Sequence, residues 1–264
     1  MKNYAGIFSL KGKTVFSIGG LGRLGLPSAQ AMASFGAKVV ILDIDTGKAK
    51  TVLAWAKKNK HRLYYEHFDI CDLDGCEASL RRLMKKYGPF HVLVNSSFPH
   101  SHDWAKPLEQ MTVRYLRENM DKHLNGYLWT SRVAGLLMKE SKVMGSIINF
   151  GSTYGVVAND LTIYEKTPLF GEITYSAIKG GIVNMTRFLA SYFGRDGIRA
   201  NCLCPGGIFE NQNPVFVKNY ERKTLLKRMG MPQDILGVVV FLAGDASAYI
   251  TGTTFMVDGG WTAT

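Results

Sequence analysis

The sequence predicts an α/β fold: a single domain built on one doubly wound parallel β-sheet of about seven strands, with helices on both faces. Three observations predict it. Short β-branched runs alternate with longer amphipathic stretches along the whole chain. Each intervening stretch is long enough for a helical crossover, which parallel strands require and hairpins do not. The 264 residues, 46% of them apolar, suffice for one large core. No linker, repeat or low-complexity tract divides them.

The elements follow in order. A strand is read at 14–18 and a helix at 24–35, stopped by Gly36. The run at 38–42 is the second strand, and a helix follows at 46–59. A third strand at 63–68 leads to a helix at 73–87, and a fourth strand at 91–94 to a long helix within 112–139. The fifth strand spans 146–150, with a helix at 174–193. A sixth strand at 198–202, a helix at 232–242 and a seventh strand at 254–257 complete the series. Right-handed crossovers then cover both faces of the sheet. Two segments, 154–172 and 209–231, are too long and polar for plain connections and are read as substrate loops.

Charge and cysteine usage narrow the setting. Lysine and arginine number 32 against 21 acidic residues, a net charge of +11. Ordinary surface lysines account for this; a field drawing acidic substrates such as sugar phosphates, or an acidic carrier, is the sharper reading. No dense basic run carries interleaved aromatics, so nucleic acid is not an expected partner. No apolar run is long enough for a bilayer, and residues 1–10 lack a leader pattern, so a soluble cytoplasmic protein without a membrane partner is expected. Cys71, Cys76, Cys202 and Cys204 lack the paired spacing of a zinc site. They are read as reduced thiols, and no metal is expected.

The first strand runs into Gly19-Gly20-Leu21-Gly22-Arg23-Leu24-Gly25 and then a helix. Gly19, Gly22 and Gly25 serve a tight turn, close approach of a pyrophosphate to backbone, and close helix–strand packing. The helix start adds free N–H groups and the positive end of its dipole. This is the phosphate turn of a Rossmann fold. Asp43 closes the second strand, where a carboxylate accepts both hydroxyls of an adenosine ribose and repels a 2′-phosphate. That favours NAD(H) over NADP(H). Arg23 and Lys48 pull the other way, since either is placed to reach a 2′-phosphate. Asp45 is better placed than Asp43 to cap the next helix.

Tyr175-Ser176-Ala177-Ile178-Lys179 sets a phenol and an ammonium four residues apart on one helix face. About one such pair is expected by chance in this composition. Its place after the fifth strand, at the start of a long helix, makes it informative. A fixed ammonium, together with an oxidised nicotinamide ring, stabilises the phenolate and lowers the phenol pKa, which suits proton exchange with an alcohol or carbonyl. Ser152 directly follows the fifth strand, where such sheets bind ligands, and can hydrogen-bond a reacting oxygen.

In this order the residues resemble the short-chain dehydrogenase/reductase superfamily, over nearly the whole chain. The resemblance rests on the glycine turn, Asp43, Asp69-Ile70, Asn95, Ser152, Tyr175, Lys179, Pro205-Gly206 and Val257-Asp258-Gly259-Gly260. It implies that Asp69 and Ile70 border the adenine and that Asn95 supports backbone on the cofactor side. It implies that Ser152, Tyr175 and Lys179 are catalytic, with Lys179 also holding the nicotinamide ribose. Gly19, Gly22, Arg23, Leu24 and Gly25 would meet the phosphates, and Pro205, Gly206 and Ile208 the nicotinamide. The closing Asp258-Gly259-Gly260 implies a subunit interface, hence a homodimer or homotetramer.

Four departures stand out. Arg23 replaces a common glycine, and Asn95-Ser96-Ser97-Phe98 replaces Asn-Asn-Ala-Gly. His123 stands where the family's long helix has a water-holding asparagine, and would add its own titration if catalytic. Glu210 stands where a cofactor-binding threonine is common. The string from Tyr154 to Thr167 resembles a subgroup tied to flagellin modification and surface-polysaccharide synthesis. That resemblance implies a sugar substrate, such as a sugar phosphate or nucleotide sugar. Ser97, Tyr154, Tyr164, Glu165 and Asn211 are the candidate substrate contacts, with Gln212, Lys218 or Arg222 reaching a phosphate. Two rivals remain: a 3-oxoacyl-carrier-protein reductase, and a nucleotide-sensing binding protein without activity.

Overall fold

The structure, a computed structural model, describes residues 4–263. Residues 1–3, part of the stretch read as lacking a leader, lie outside the described residues. Seven strands form one parallel sheet: β1 (Thr14–Ile18), β2 (Lys38–Asp43), β3 (Leu63–His67), β4 (Val92–Asn95), β5 (Ser146–Phe150), β6 (Arg199–Pro205) and β7 (Thr254–Val257). Their order is β3-β2-β1-β4-β5-β6-β7, so the winding reverses between β1 and β4. In such sheets that reversal opens a crevice at the carboxyl ends of the strands.

The helices are α1 (Gly25–Ser34), α2 (Thr46–Lys58), α3 (Cys76–Tyr87), α4 (Val113–Asn119), α5 (Gly126–Glu140), α6 (Ile173–Phe193), α7 (Pro214–Lys223) and α8 (Leu236–Ala243). Strand alternation divides the core in two. Phe16, Val40, Leu93 and Ile147 face Leu80 and Leu83 of α3, Val133 and Leu137 of α5, and Ile182 of α6. Val15, Val39, Ile41 and Val92 face Met32 of α1, Val52 of α2, and Val239 and Leu242 of α8. Every residue of β1 is buried, as a strand covered on both faces requires. Each fully buried large side chain contributes roughly 1.5–3 kcal/mol, which keeps the switch-point strands rigid.

The sequence reading differs from the structure in four places. The long helix read within 112–139 is interrupted by a π-helical turn at Met120–Asn125 that separates α4 from α5. The segment 209–231, read as loop, contains α7. Pro214 at the first turn and the Asn213 side chain, accepting from Val215 N at 2.9 Å, start it. Its Tyr220 then packs with Ile163, Met229 and Trp261 in a small separate core. Strand β6 runs three residues beyond Cys202, because Pro205 still pairs in register with Val257. Helix α3 begins at Cys76 rather than 73, after an Asp72 turn that accepts from Gly75 N at 3.0 Å.

Candidate active site

One cleft of about 960 Å³ runs across the carboxyl ends of the strands at the switch point. Its nucleotide half is built by the glycine turn. Gly19 has φ +69°, and a Cβ there would collide with the backbone of Ser97. A Cβ on Gly25 would collide with the Gly19 carbonyl, so α1 packs tightly on the turn. Gly22 donates its N–H to Gly19 O at 3.0 Å, closing the turn. The residue before α1, Leu24, provides no side-chain cap. Leu26 N–H already donates to Gly22 O at 2.9 Å and Pro27 has no N–H, so the N–H that this helix start leaves for phosphate is that of Gly25.

Asp43 lines the cleft, and its Oδ2 accepts from Leu21 N at 2.9 Å while Oδ1 accepts from Asp45 N at 3.0 Å. The carboxylate is thus fixed toward the glycine turn. Asp45 caps α2, as expected, accepting from Gly47 and Lys48 backbone N–H. Asp69 and Ile70 line the cleft beside it. The two cations read as rivals for a 2′-phosphate are engaged elsewhere. Lys48 pairs with Asp45 at 3.3 Å, and Arg23 pairs with Glu210 across the cleft while reaching Ile208 O at 3.3 Å. The cradle fits a dinucleotide: glycines where any side chain would collide, a helix start without a side-chain cap, and the Asp43 carboxylate lining the same end of the cleft.

The other half centres on the start of α6. Glu172 caps the helix, accepting from Tyr175 N–H and, at 3.0 Å, from the Tyr115 hydroxyl. Glu172 is buried, so the first turn of α6 is held firmly. Tyr175 and Lys179 both line the cleft, with Ser152 at the end of β5. Lys179 Nζ donates to Phe150 O at 2.9 Å and lies 5.6 Å from the Tyr175 ring centre. Pro205, Gly206 and Ile208 line the cleft from the β6 side.

Burial sets protonation in this half of the cleft for the chain on its own. Tyr175 is raised above the ordinary tyrosine value, because burial disfavours the phenolate more than the Ser152 hydroxyl favours it. Burial also lowers Lys179 to about 8, so the ammonium meant to stabilise the phenolate is itself desolvated. His123 sits in the π-helical turn, fully buried, with Nε2 3.3 Å from Lys179 Nζ. Burial and the lysine charge lower its pKa well below the usual histidine value, so it stays neutral near pH 7 and contributes no titration there. Its Nδ1 is buried without a partner.

Other candidates fall away from the cleft. Asn95 is fully buried, with Nδ2 donating to Asn149 Oδ1 and Ser131 Oγ at 3.0 Å. It ties β4 to β5 and α5. Glu165 and Asn211 are exposed and do not line the cleft; nor do Lys218 and Arg222, both exposed on α7. Asn211 instead takes φ +56° in a turn where Gln212 bonds Glu210 N and Ile208 O. Ser97, Tyr154 and Tyr164 do line it. Within this chain Asp258 braces its own turn, accepting from Gly260 N and Thr262 N at 2.9 Å. Residues that sequence reasoning missed include Glu172, Trp104, Phe216 and Tyr220. Glu172 carried a signal, an acid at the N-cap of a helix; the aromatics carried none, since their contacts are set by folding.

A family model described as Enoyl-(Acyl carrier protein) reductase matches residues 23–262. The chain is 31% identical to Post-translational flagellin modification protein A of Campylobacter coli, covering 96% of this chain and 99% of that one. A short-chain dehydrogenase structure from Leptospira borgpetersenii with bound NAD+ is similar at TM-score 0.85 and 33% identity, covering 99% and 96%. A gluconate 5-dehydrogenase from Burkholderia cenocepacia in complex with NADP and tartrate matches at TM-score 0.85 and 26% identity, covering 98% of each chain. With the switch-point cleft and its glycine turn, these matches place the chain in the short-chain dehydrogenase/reductase family, as an NAD(P)-dependent oxidoreductase.

Proposed function

We propose that the protein transfers a hydride between NAD(H) and a secondary alcohol or ketone on a sugar derivative used in surface-glycan or flagellin modification. The observation that carries the reaction is the convergence of Ser152, Tyr175 and Lys179 on one cleft beside the glycine turn. Bound nicotinamide supplies the hydride acceptor or donor. Tyr175 passes the proton to or from the substrate oxygen, and Ser152 hydrogen-bonds that oxygen as charge develops. Lys179 holds the nicotinamide ribose and sets the field at the phenol. His123 accepts a hydrogen bond from Lys179 and fixes the ammonium. Asn95 ties β4 to β5 and α5 beneath the cleft, and its side chain has no backbone partner there among the described residues.

Asp43 supports NAD over NADP, since its carboxylate faces the nucleotide half while Arg23 and Lys48 are paired. Solved relatives hold either cofactor, so the preference rests on that acid. The sugar reading is supported by similarity to a flagellin-modification protein. Free cysteines suit a reducing cytoplasm.

Tyr175→Phe should keep cofactor affinity and lose about 10²–10⁴-fold in turnover. Steady-state rates with calorimetric cofactor binding check this; unchanged turnover removes Tyr175 from the chemistry. We propose a homodimer or homotetramer as well, because Phe188 and Tyr192 stack at 6.1 Å on the outer face of α6 while remaining exposed. Light scattering should give two or four chains, and Phe188→Asp should lower that number.

A further inference from the structure

We infer that the substrate end of the cleft takes an uncharged ring bearing a secondary alcohol, or the matching ketone, and discriminates against a ring with phosphate or carboxylate on the part that enters. The inference rests on the oxidoreductase reading above and concerns which substrates that site admits.

The walls around the Tyr175 hydroxyl are aromatic. From the β4 side, Phe98 lies 5.8 Å from the Tyr175 ring at 76°, and Trp104 packs edge-on behind it at 5.4 Å from Phe98. From the 154–172 segment and α7 come Tyr164 and Phe216, 5.6 Å apart. Phe98 is 46% exposed, an apolar ring left open on the cleft. Such faces suit the C–H face of a ring.

Apart from Lys179, the lysines, arginines and acids lining the cleft lie elsewhere. Arg23 belongs to the glycine turn and is bound by Glu210. Asp43, Asp45, Lys48 and Asp69 follow β2 and β3. Lys122 stands beside Cys71, which reaches its carbonyl, and its ammonium is held by Glu118 at 2.8 Å. Lys179 is buried under the phenol. Near the aromatic walls, Lys106 is bound by Asp103 and Lys223 by Asp160, each at 2.7 Å.

What remains at the substrate end is hydroxylic apart from one imidazole, His100, which lies 5.2 Å from Phe98 and whose Nδ1 donates to Ser101 O at 2.9 Å. The Tyr154 and Tyr164 hydroxyls lie 3.4 Å apart, and burial raises both pKa values, so both stay protonated. These groups exchange hydrogen bonds with substrate hydroxyls. An anion placed among them would lose its hydration and meet no open lysine or arginine, since Lys179 lies buried beneath the phenol and Lys106 and Lys223 are already paired.

Two sources share this chemistry, a neutral saccharide or cyclic polyol and a fused hydrocarbon alcohol, and the tyrosine pair separates them. The test is turnover of matched sets by the intact enzyme with NAD+ or NADH. The sets are neutral pyranoses and cyclic polyols, their phosphate esters and sugar acids, fused-ring hydrocarbon alcohols, and open-chain 3-hydroxyacyl thioesters. The expected result is that kcat/KM for a neutral ring exceeds its charged counterpart by at least about tenfold, carried by KM. Phe216→Ala and Phe98→Ala should raise KM for neutral rings about tenfold with cofactor affinity and Tm retained. Tyr164→Phe should weaken polyhydroxylated rings but leave a hydrocarbon ring unaffected. Equal or better use of the phosphate or acid overturns the inference and leaves the oxidoreductase reading standing. So does turnover of the thioesters alone. Cofactor binding without turnover of any alcohol or ketone overturns both.

Discussion

Burial moves Tyr175 and Lys179 toward neutrality from opposite directions, raising the phenol and lowering the ammonium to about 8. The sign for activity follows. Below about 8 Lys179 is charged and can polarise the reacting oxygen's surroundings; above it the charge is lost while Tyr175 keeps its proton. Carbonyl reduction should therefore decline as pH rises through about 8, measured as kcat/KM against pH. A flat profile across that value removes the lysine charge from the reaction. The linkage to stability runs the other way. A base whose folded pKa lies below its unfolded 10.5 stabilises the fold as pH climbs from about 8 toward 10.5, because the unfolded chain then binds more protons. The pair itself was legible from spacing, but its protonation state was not. Spacing shows which groups meet, whereas burial depends on Phe98, Tyr127 and the π-helical turn that close over them.

Arg23 and Glu210 each depart from the family pattern, and they meet across the cleft. Arg23 comes from the turn before α1, Glu210 from the segment between β6 and α7, so their contact ties two elements that a cofactor must pass between. Glu210 is 67% exposed on its side chain, and an ion pair so wet is worth about 1 kcal/mol or less. Its consequence should lie in binding rather than stability. Glu210→Gln frees Arg23 for the pyrophosphate, so cofactor should bind several-fold more tightly and Tm should shift by less than about 3 °C. Calorimetric titration and thermal melts check this; weaker binding would mean that Glu210 orders the cleft rather than competing for Arg23. Each member of the pair was visible in the sequence, and the pairing was not, since 187 residues separate them. The same limit hid α7. Its apolar residues Phe216, Val217 and Tyr220 face only a small core with Ile163 and Trp261, too slight a stripe to stand out from a polar loop.

Across the whole molecule the fold was legible because every β1 residue is buried and each crossover is helical, a pattern that composition and periodicity carry directly. Net charge was legible as a number but not as a location. The +11 excess belongs to the whole surface, while the charged residues lining the cleft, Lys179 apart, cluster in its nucleotide half, with Arg23, Lys48 and Lys122 paired. A field of that kind attracts an anionic dinucleotide from a distance and does nothing for a neutral ring at contact. Surface charges are screened beyond about 8 Å at physiological salt. Raising salt from about 20 to about 200 mM should therefore increase KM for the cofactor several-fold and leave KM for a ring substrate unchanged. Initial-rate kinetics with each reactant varied at fixed saturating partner measures the two separately. If the ring KM climbs in parallel with the cofactor KM, charge is being read inside the aromatic slot, and the basic surface serves the substrate as well as the nucleotide.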